Sequence, residues 1–379
     1  MQVIRWVHEA PVLVAQADIE SCFGQPPVTV FRCESFYIDV LFWVDGTTAI
    51  HQHRFSGAFH VLEGSSLQST YEFTPKRRYC DQLLTGDLRL LEVELLKKGD
   101  VRPIRSGAGL VHSLFHLDRP SASVVVRTPS DAAAGPQYSY SRAGFAFDPF
   151  AKAESTTRKV QILDLLDRIG HPELESIARS TVRAADSFRA FQILTHLLKR
   201  VEPHERYLAF LEGIRPVHQE LVELLKIHAR EEWRDQYIIA RRQLVKQPQH
   251  RFFLALLLNV RSRARIFELV QGAFPGQAPA SVVARWLTEL SKLDAILAWV
   301  ADTSRLSAER QATRILDVAL GETEIELLRR AFGDTEHIEA FTCRTAGAVS
   351  DAASGNPADE LAVSAAMQDS TLLGPLFVP

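Results

Sequence analysis

Cysteine is scarce: Cys22, Cys33, Cys80 and Cys343 are the only four in 379 residues, and no two form a C-x-x-C pair. That spacing excludes a zinc ribbon and a disulfide framework, and a reducing cytoplasm is the expected setting. Long apolar runs are missing too. The longest, such as Phe252 to Leu258, fall well short of a bilayer span, so no membrane partner is expected. The first residues have no basic start leading into an apolar core and carry acids early, so they do not read as a secretory leader. Neither sign of charge dominates. The 43 basic and 46 acidic residues give a net charge of −3, which offers no global attraction to nucleic acid or anionic lipid.

What is present is the composition of a globular chain, 46% hydrophobic and 23% charged, long enough for two domains with cores of their own. Its character changes near residue 130. Before it, short runs rich in β-branched and aromatic residues follow one another: Val28 to Glu34, Phe36 to Val44, Thr47 to His53, Ala58 to Gly64, Leu67 to Phe73, Leu88 to Leu96, Leu110 to Leu117 and Ser123 to Thr128. Many short strands with turn residues such as Asp45-Gly46 between them predict a sandwich or barrel over residues 1–130. Residues 131–156, rich in Pro, Gly, Ala and Ser, read as a linker. Over 157–343 apolar residues recur at three- and four-residue steps, with Pro172, Pro203 and Pro248 between segments, which predicts an all-helical domain. The Ala- and Ser-rich stretch 344–379 reads as a flexible tail.

One motif carries chemistry. In His51-Gln52-His53 the two histidines are two residues apart, and on a strand that spacing puts both imidazoles on one face. His112 lies on a later strand, after the Gly-rich stretch Gly99 to Gly109, where a returning strand can bring a third imidazole to the same point. Gln52 points away by alternation and has no assigned role. Tyr71, Trp43 and Phe59 are expected to fill the barrel.

The order Gly46, His51, His53, Gly57, Gly64, followed by Gly99, Gly107 and His112, resembles the two motifs of the cupin superfamily. The resemblance implies an N-terminal cupin-type jelly-roll β-barrel, followed here by the all-helical domain. Gly57 stands where the family's Glu ligand would be and His116 where it has Asn, so three histidines remain as the metal ligands: His51, His53 and His112. Within the superfamily, Phe36 to Phe73 is most similar to the three-histidine cysteine dioxygenase-like group, the thiol dioxygenases. That implies ferrous iron as cofactor, with zinc, copper or nickel compatible with the same nitrogen donors, and a small-molecule or peptide thiol plus dioxygen as substrates. The resemblance covers residues 28–130 and leaves the helical part unassigned. It departs from the group after Ser123, where Val125 and Arg127 replace the His and Tyr of the family's Ser-x-His-x-Tyr stretch. His116 is a candidate outer partner of the metal site, and Tyr71, Arg32 and Arg127 are candidates to orient substrate.

Two rival readings stand beside the oxygenase: a binding or regulatory cupin whose helical domain contacts a protein partner, and a non-oxidative metal-dependent enzyme. His218 and His228, each near glutamates, do not repeat the paired Glu-x-x-His spacing of a di-iron bundle and are expected on a solvated helix face. The basic stretch from Arg241 to Arg265 lies near acids and is expected to be ordinary surface charge, with no nucleic-acid partner.

Overall fold

The computed structural model describes residues 2–290, apart from 18, 20–22, 45, 202–203, 284 and 287–288. The expected tail, the helical patterns beyond 290, Asp45, Cys22 and Cys343 lie outside the described residues. A short helix, α1 (Gln2–Glu9), comes first. The strands follow: β1 (Pro27–Arg32), β2 (Tyr37–Trp43), β3 (Ile50–His53), β4 (Gly57–Glu63), β5 (Ser65–Cys80), β6 (Leu83–Lys97), β7 (Val101–Ile104), β8 (Gly107–His116) and β9 (Ser121–Arg127).

These strands form two sheets. The first runs β1-β2-β9-β4-β7. Buried Ser121, Ser123 and Val125 on β9 alternate with more exposed neighbours, as strand periodicity requires. In the second, β5 and β6 make one long hairpin that turns between Cys80 and Leu83. Its register shifts at three points, and Pro75 sits at one of them, where its missing N–H costs little. β8 pairs with β5, and β3 with β8.

The ring of this second sheet is completed by β10 (Ser139–Tyr140) and β11 (Phe145–Phe147), which link β3 back to β6. Both strands lie in the segment 131–156 expected as a linker. Tyr140 and Phe145 are buried there, and burying such rings offsets the entropy of ordering the chain. Among the described residues no ladder joins the ring to the five-stranded sheet, so the expected jelly-roll barrel is not closed as a whole, and the strand-rich part is a face-to-face pair of sheets. Leu41, Trp43, Phe59 and Val125 of the first sheet meet Leu96 and Leu114 of the second in the core between them.

Helices follow: α2 (Glu154–Arg168), α3 (Leu174–Arg183), α4 (Ser187–Leu198) and α5 (His204–Leu244). Asp186 caps α4, accepting from the Arg189 N–H at 2.9 Å. Pro216 lies inside α5, and the helix kinks at His218, two residues on. Leu83 and Phe145 of the strands share one core cluster with Leu163, Phe191, Leu194, Tyr207 and Leu211 of the helices. The chain divides into two compact units, 1–239 and 240–379, so the first helices belong with the strands. Within the second unit, α6 (Pro248–Asn259) and α7 (Arg263–Ala273) precede Trp286, whose ring stands 5.2 Å from Phe274 and 5.6 Å from Phe253. Among the described residues no helix is long and apolar enough to cross a membrane.

Several side chains expected on the surface are buried. His218 donates from Nε2 to the Val182 carbonyl at 3.0 Å, and His228 pairs through Nδ1 with Ser141 Oγ at 2.8 Å. A ring nitrogen with a partner can leave water at little cost. Arg242 and Arg251 are buried as well, and each has an interaction partner, as a buried guanidinium requires.

Candidate metal centre

All four residues of β3 are buried, and alternation sends His51 and His53 to one face and Gln52 to the other. Gln52 is tied down there: its Nε2 donates to the Pro136 carbonyl at 2.7 Å and its Oε1 accepts from the Tyr140 hydroxyl at 2.5 Å. His51 is the register partner of His112 on β8. The ladder then shifts between Gln52 and His53, which places His53 opposite Gly107. Gly107 takes a φ of +61°, a conformation that favours glycine.

The three imidazoles converge. Their ring centres are 4.7 to 5.0 Å apart, and one ring nitrogen from each lies within 4.8 Å of the other two. His53 Nε2 and His112 Nε2 are 2.9 Å apart. Two ligand nitrogens on one ion stand about 3 Å apart, given bonds of about 2.1 Å. The outer nitrogens are held by carbonyls. His51 Nδ1 donates to the Ala49 carbonyl at 2.8 Å, and His112 Nδ1 to Gln68 Oε1 at 3.4 Å. Each bond keeps the proton on Nδ1 and leaves the Nε2 lone pair facing inward, the tautomer a metal ligand needs. Among the described residues, His51 Nε2 is buried with no hydrogen-bond partner. An orphaned buried acceptor costs about 1–3 kcal/mol, a cost that an ion at the centre of the cluster would remove.

Burial also holds all three rings neutral. It is the main cause in each case, pushing His53 down to about 2 with help from the charges of His51 and Arg127. It likewise lowers His51, against the opposing bond to Ala49, and lowers His112 with the other two histidines adding. Neutral imidazole is the form that binds metal.

A relay that the sequence reading missed lies behind His112. Gln68 is buried on β5, and its Nε2 donates to Glu94 Oε1 at 2.9 Å. Glu94 in turn accepts from Arg102, with Nε at 3.0 Å and Nη2 at 2.5 Å. The carboxylate fixes which way the Gln68 amide faces, and so presents its oxygen to His112. A glutamine inside the otherwise strand-forming run Leu67 to Phe73 was the available signal, but its partner on β6 is set only by register.

Gly57, where the cupin resemblance would place a Glu ligand, has no room for a side chain. A Cβ at Gly57 would lie 2.0 Å from the Val126 carbonyl oxygen and 2.9 Å from the Arg127 Cα. Strand β9 passes too close for any side chain there.

The other candidates are dispersed. Arg127 is near: its charge acts on His53, and its guanidinium lies between the rings of Tyr37 and Phe55, 4.6 and 4.7 Å away, with Nη2 3.1 Å from Asp39 Oδ2. His116 lies four residues along β8 from His112, accepting or donating at Nδ1 with Ser66 Oγ (2.9 Å) and Ser121 Oγ (3.0 Å), and stacked on Trp43 at 4.3 Å. Tyr71 pairs with Val111, one position off His112, so it faces the opposite side and packs with Ile50, Val111 and Tyr140. Arg32 is exposed on β1, at the edge of the other sheet.

No family model matches the chain, and no curated protein does. Among solved structures, part of the chain is similar to KdgF from Halomonas sp., at 15% identity and a TM-score of 0.21 over 28% of this chain and 82% of that one. A cupin-2 domain containing protein from Shewanella frigidimarina gives 13% and 0.19 over 27% and 79%. Hydroquinone 1,2-dioxygenase from Sphingomonas sp. with 4-hydroxybenzoate bound gives 11% and 0.23 over 31% and 81%. What the site can do follows from its own residues.

Of the three histidines, His51 borders a cavity of about 360 Å³, open to one side. Phe23, Trp43 and Phe150 supply its rings, and Thr47, Gln137 and Ser139 its polar groups. Among the described residues no charged side chain lines it.

Proposed function

We propose that the chain is a cupin-type, metal-dependent oxygenase, resembling the thiol dioxygenases, in which His51, His53 and His112 hold one ferrous ion and a small-molecule or peptide thiol is oxidised by dioxygen. The observation that carries this reading is the convergence of three buried, neutral imidazoles, with the Nε2 of His51 left without a partner among the described residues. The donor set fits: three nitrogens on one side of a site leave the remaining positions open for substrate and dioxygen. A ferrous ion held there would supply Lewis-acid and dioxygen-activating chemistry.

The chain's own residues do the rest. The Ala49 carbonyl and the Gln68 amide fix the tautomers of His51 and His112. The Phe55 ring, 4.6 Å from His53, and Phe59, 6.4 Å from His112, keep water from the inner side. The overall reaction balances as RSH + O2 → RSO2H: the sulfur loses four electrons, dioxygen takes them, and both oxygen atoms end on sulfur. The metal chemistry is assigned to the strand-rich part, in a cytoplasmic setting, and α2 and α4 pack against it at Leu83 and Phe145. The test is oxygen consumption by anaerobically iron-loaded protein across amino-, carboxy- and peptide-thiols, with sulfinic acid identified by mass. Uptake matched one to one by sulfinic acid supports the reading. Silence across the panel from protein shown to hold iron would remove it.

A further inference from the structure

The cavity beside His51 has a character of its own. Phe23 and Phe150 are 40% and 67% exposed, large rings left in water at its rim. Phe23 stands edge-on to Trp43 at 5.3 Å and to the His51 ring at 5.8 Å, so the aromatic wall runs without a break from the mouth to a histidine of the cluster. Exposed aromatic rings gathered at one concavity mark a ligand site more often than solitary exposed apolar residues do. A volume of about 360 Å³ is in the range of cavities that hold one- and two-ring molecules.

The polar part of the lining is uncharged. Gln25 Oε1 already accepts the Val44 N–H at 2.9 Å, Thr48 Oγ1 the Leu114 N–H at 2.7 Å, and Gln137 Oε1 the Arg54 N–H at 3.4 Å. These groups shape the wall, and no cation among the described lining residues waits for a carboxylate. Arg127, whose charge reaches His53, is not in the lining, and Asp39 stands against its guanidinium. A carboxylate or ammonium held at the mouth, away from the His51 end, would leave its own hydration without gaining a charged partner among the described lining residues, and burying an unpaired charge is strongly unfavourable.

We propose that the substrate is an uncharged small molecule carrying an aromatic ring and a thiol, seated in the cavity of Phe23, Trp43 and Phe150 with its ring at the mouth and its sulfur toward His51. The proposal rests on the thiol-oxygenase reading and narrows it from thiols in general to neutral aryl-bearing ones. It places the substrate's specificity on the ring and assigns no residue to an ammonium or carboxylate group.

Iron-loaded protein is tested with 2-phenylethanethiol, cysteine and 3-mercaptopropionate for oxygen uptake, and with 2-phenylethanol, which has the ring but no sulfur, for binding by calorimetry under argon. The expected result is a kcat/KM for 2-phenylethanethiol above that of the two charged thiols, and measurable binding of 2-phenylethanol. Phe150→Ala, a change at an exposed ring, with fold and metal content checked against wild type, is expected to raise KM and weaken 2-phenylethanol binding about three- to tenfold with kcat little altered, the range of one lost aromatic contact. Phe23→Ala serves as the second variant. Faster turnover of cysteine or 3-mercaptopropionate, or binding of 2-phenylethanol unchanged in both variants, would overturn the assignment of the cavity. Binding of 2-phenylethanol that is lost in the variants, with no thiol oxidised, would instead overturn the thiol chemistry and leave the aryl site standing.

Discussion

His51 and His112 face each other as register partners across the β3–β8 ladder, their ring centres 4.9 Å apart. Because side chains alternate, a one-residue slip of either strand would turn one of the two rings to the opposite face. The pairing that builds the sheet therefore also builds the cluster.

Behind that pair, Gln68 should matter to metal affinity more than to folding. Gln68→Leu removes the acceptor from His112 Nδ1 and leaves Glu94 to Arg102 alone. Metal affinity, read by competition with a chromogenic chelator, is expected to fall about 10- to 100-fold. Glu94→Gln should fall less, since its amide oxygen can still accept from Gln68 Nε2. Equal affinity in wild type and Gln68→Leu would contradict a role for the relay.

Gly57 cannot be converted into a ligand. Gly57→Glu and Gly57→Ala both place a Cβ against the Val126 carbonyl, and both should destabilise the protein by about 3 kcal/mol, at the upper end of overpacking costs. Urea denaturation measures this. A Gly57→Glu variant of wild-type stability that binds metal more tightly would show that β9 can move aside.

His228 gives a pH dependence with a definite sign. Burial, with Lys199 adding, lowers it to about 4, below its ordinary value. The unfolded chain therefore binds this proton first as the pH falls. The stability held by the neutral ring is fully present above the ordinary histidine value and is lost as the pH falls from there to about 4. The size is on the order of 3 kcal/mol. His228→Gln should lack this component, so the stability difference between wild type and variant, from urea curves at pH 7 and pH 4.5, should change by a large part of that amount. An unchanged difference would mean that His228 titrates normally.

The strand-rich part should not stand alone at residue 130. A fragment ending there lacks β10 and β11 and uncovers Leu83, which is packed against the helices. No cooperative thermal transition is expected by circular dichroism. A soluble, cooperatively folding 1–130 fragment would show that the division lies in 131–156 after all.

How much of this was legible in the sequence depends on the range of the interactions. Alternation along one strand suffices to put His51 and His53 together, and a turn-rich stretch before His112 marks a returning strand. The two strands of 131–156 were not legible: Ser139–Tyr140 and Phe145–Phe147 are too short to show a period, and each is held by a ladder to a strand more than fifty residues away. Gln68 and Glu94 were missed for the same reason, since 26 residues separate them and only the hairpin register brings them together. Tyr71 and Arg32 were chosen by residue type, and strand parity and sheet order place both away from the cluster. The burial of His218 and His228 depends on what the kinked α5 packs against, which no helical period records.

The central claim is that His51, His53 and His112 hold one metal ion. It is tested most directly by elemental analysis of anaerobically purified protein and of His51→Ala, His53→Ala, His112→Ala and His116→Ala. About one divalent ion per chain is expected in wild type and in His116→Ala, whose ring is held by Ser66, Ser121 and Trp43. Each of the other three variants, left with two imidazoles, should lose most of it. Full metal content in any of those three folded variants, or none in wild type after reconstitution with ferrous iron, would contradict the account.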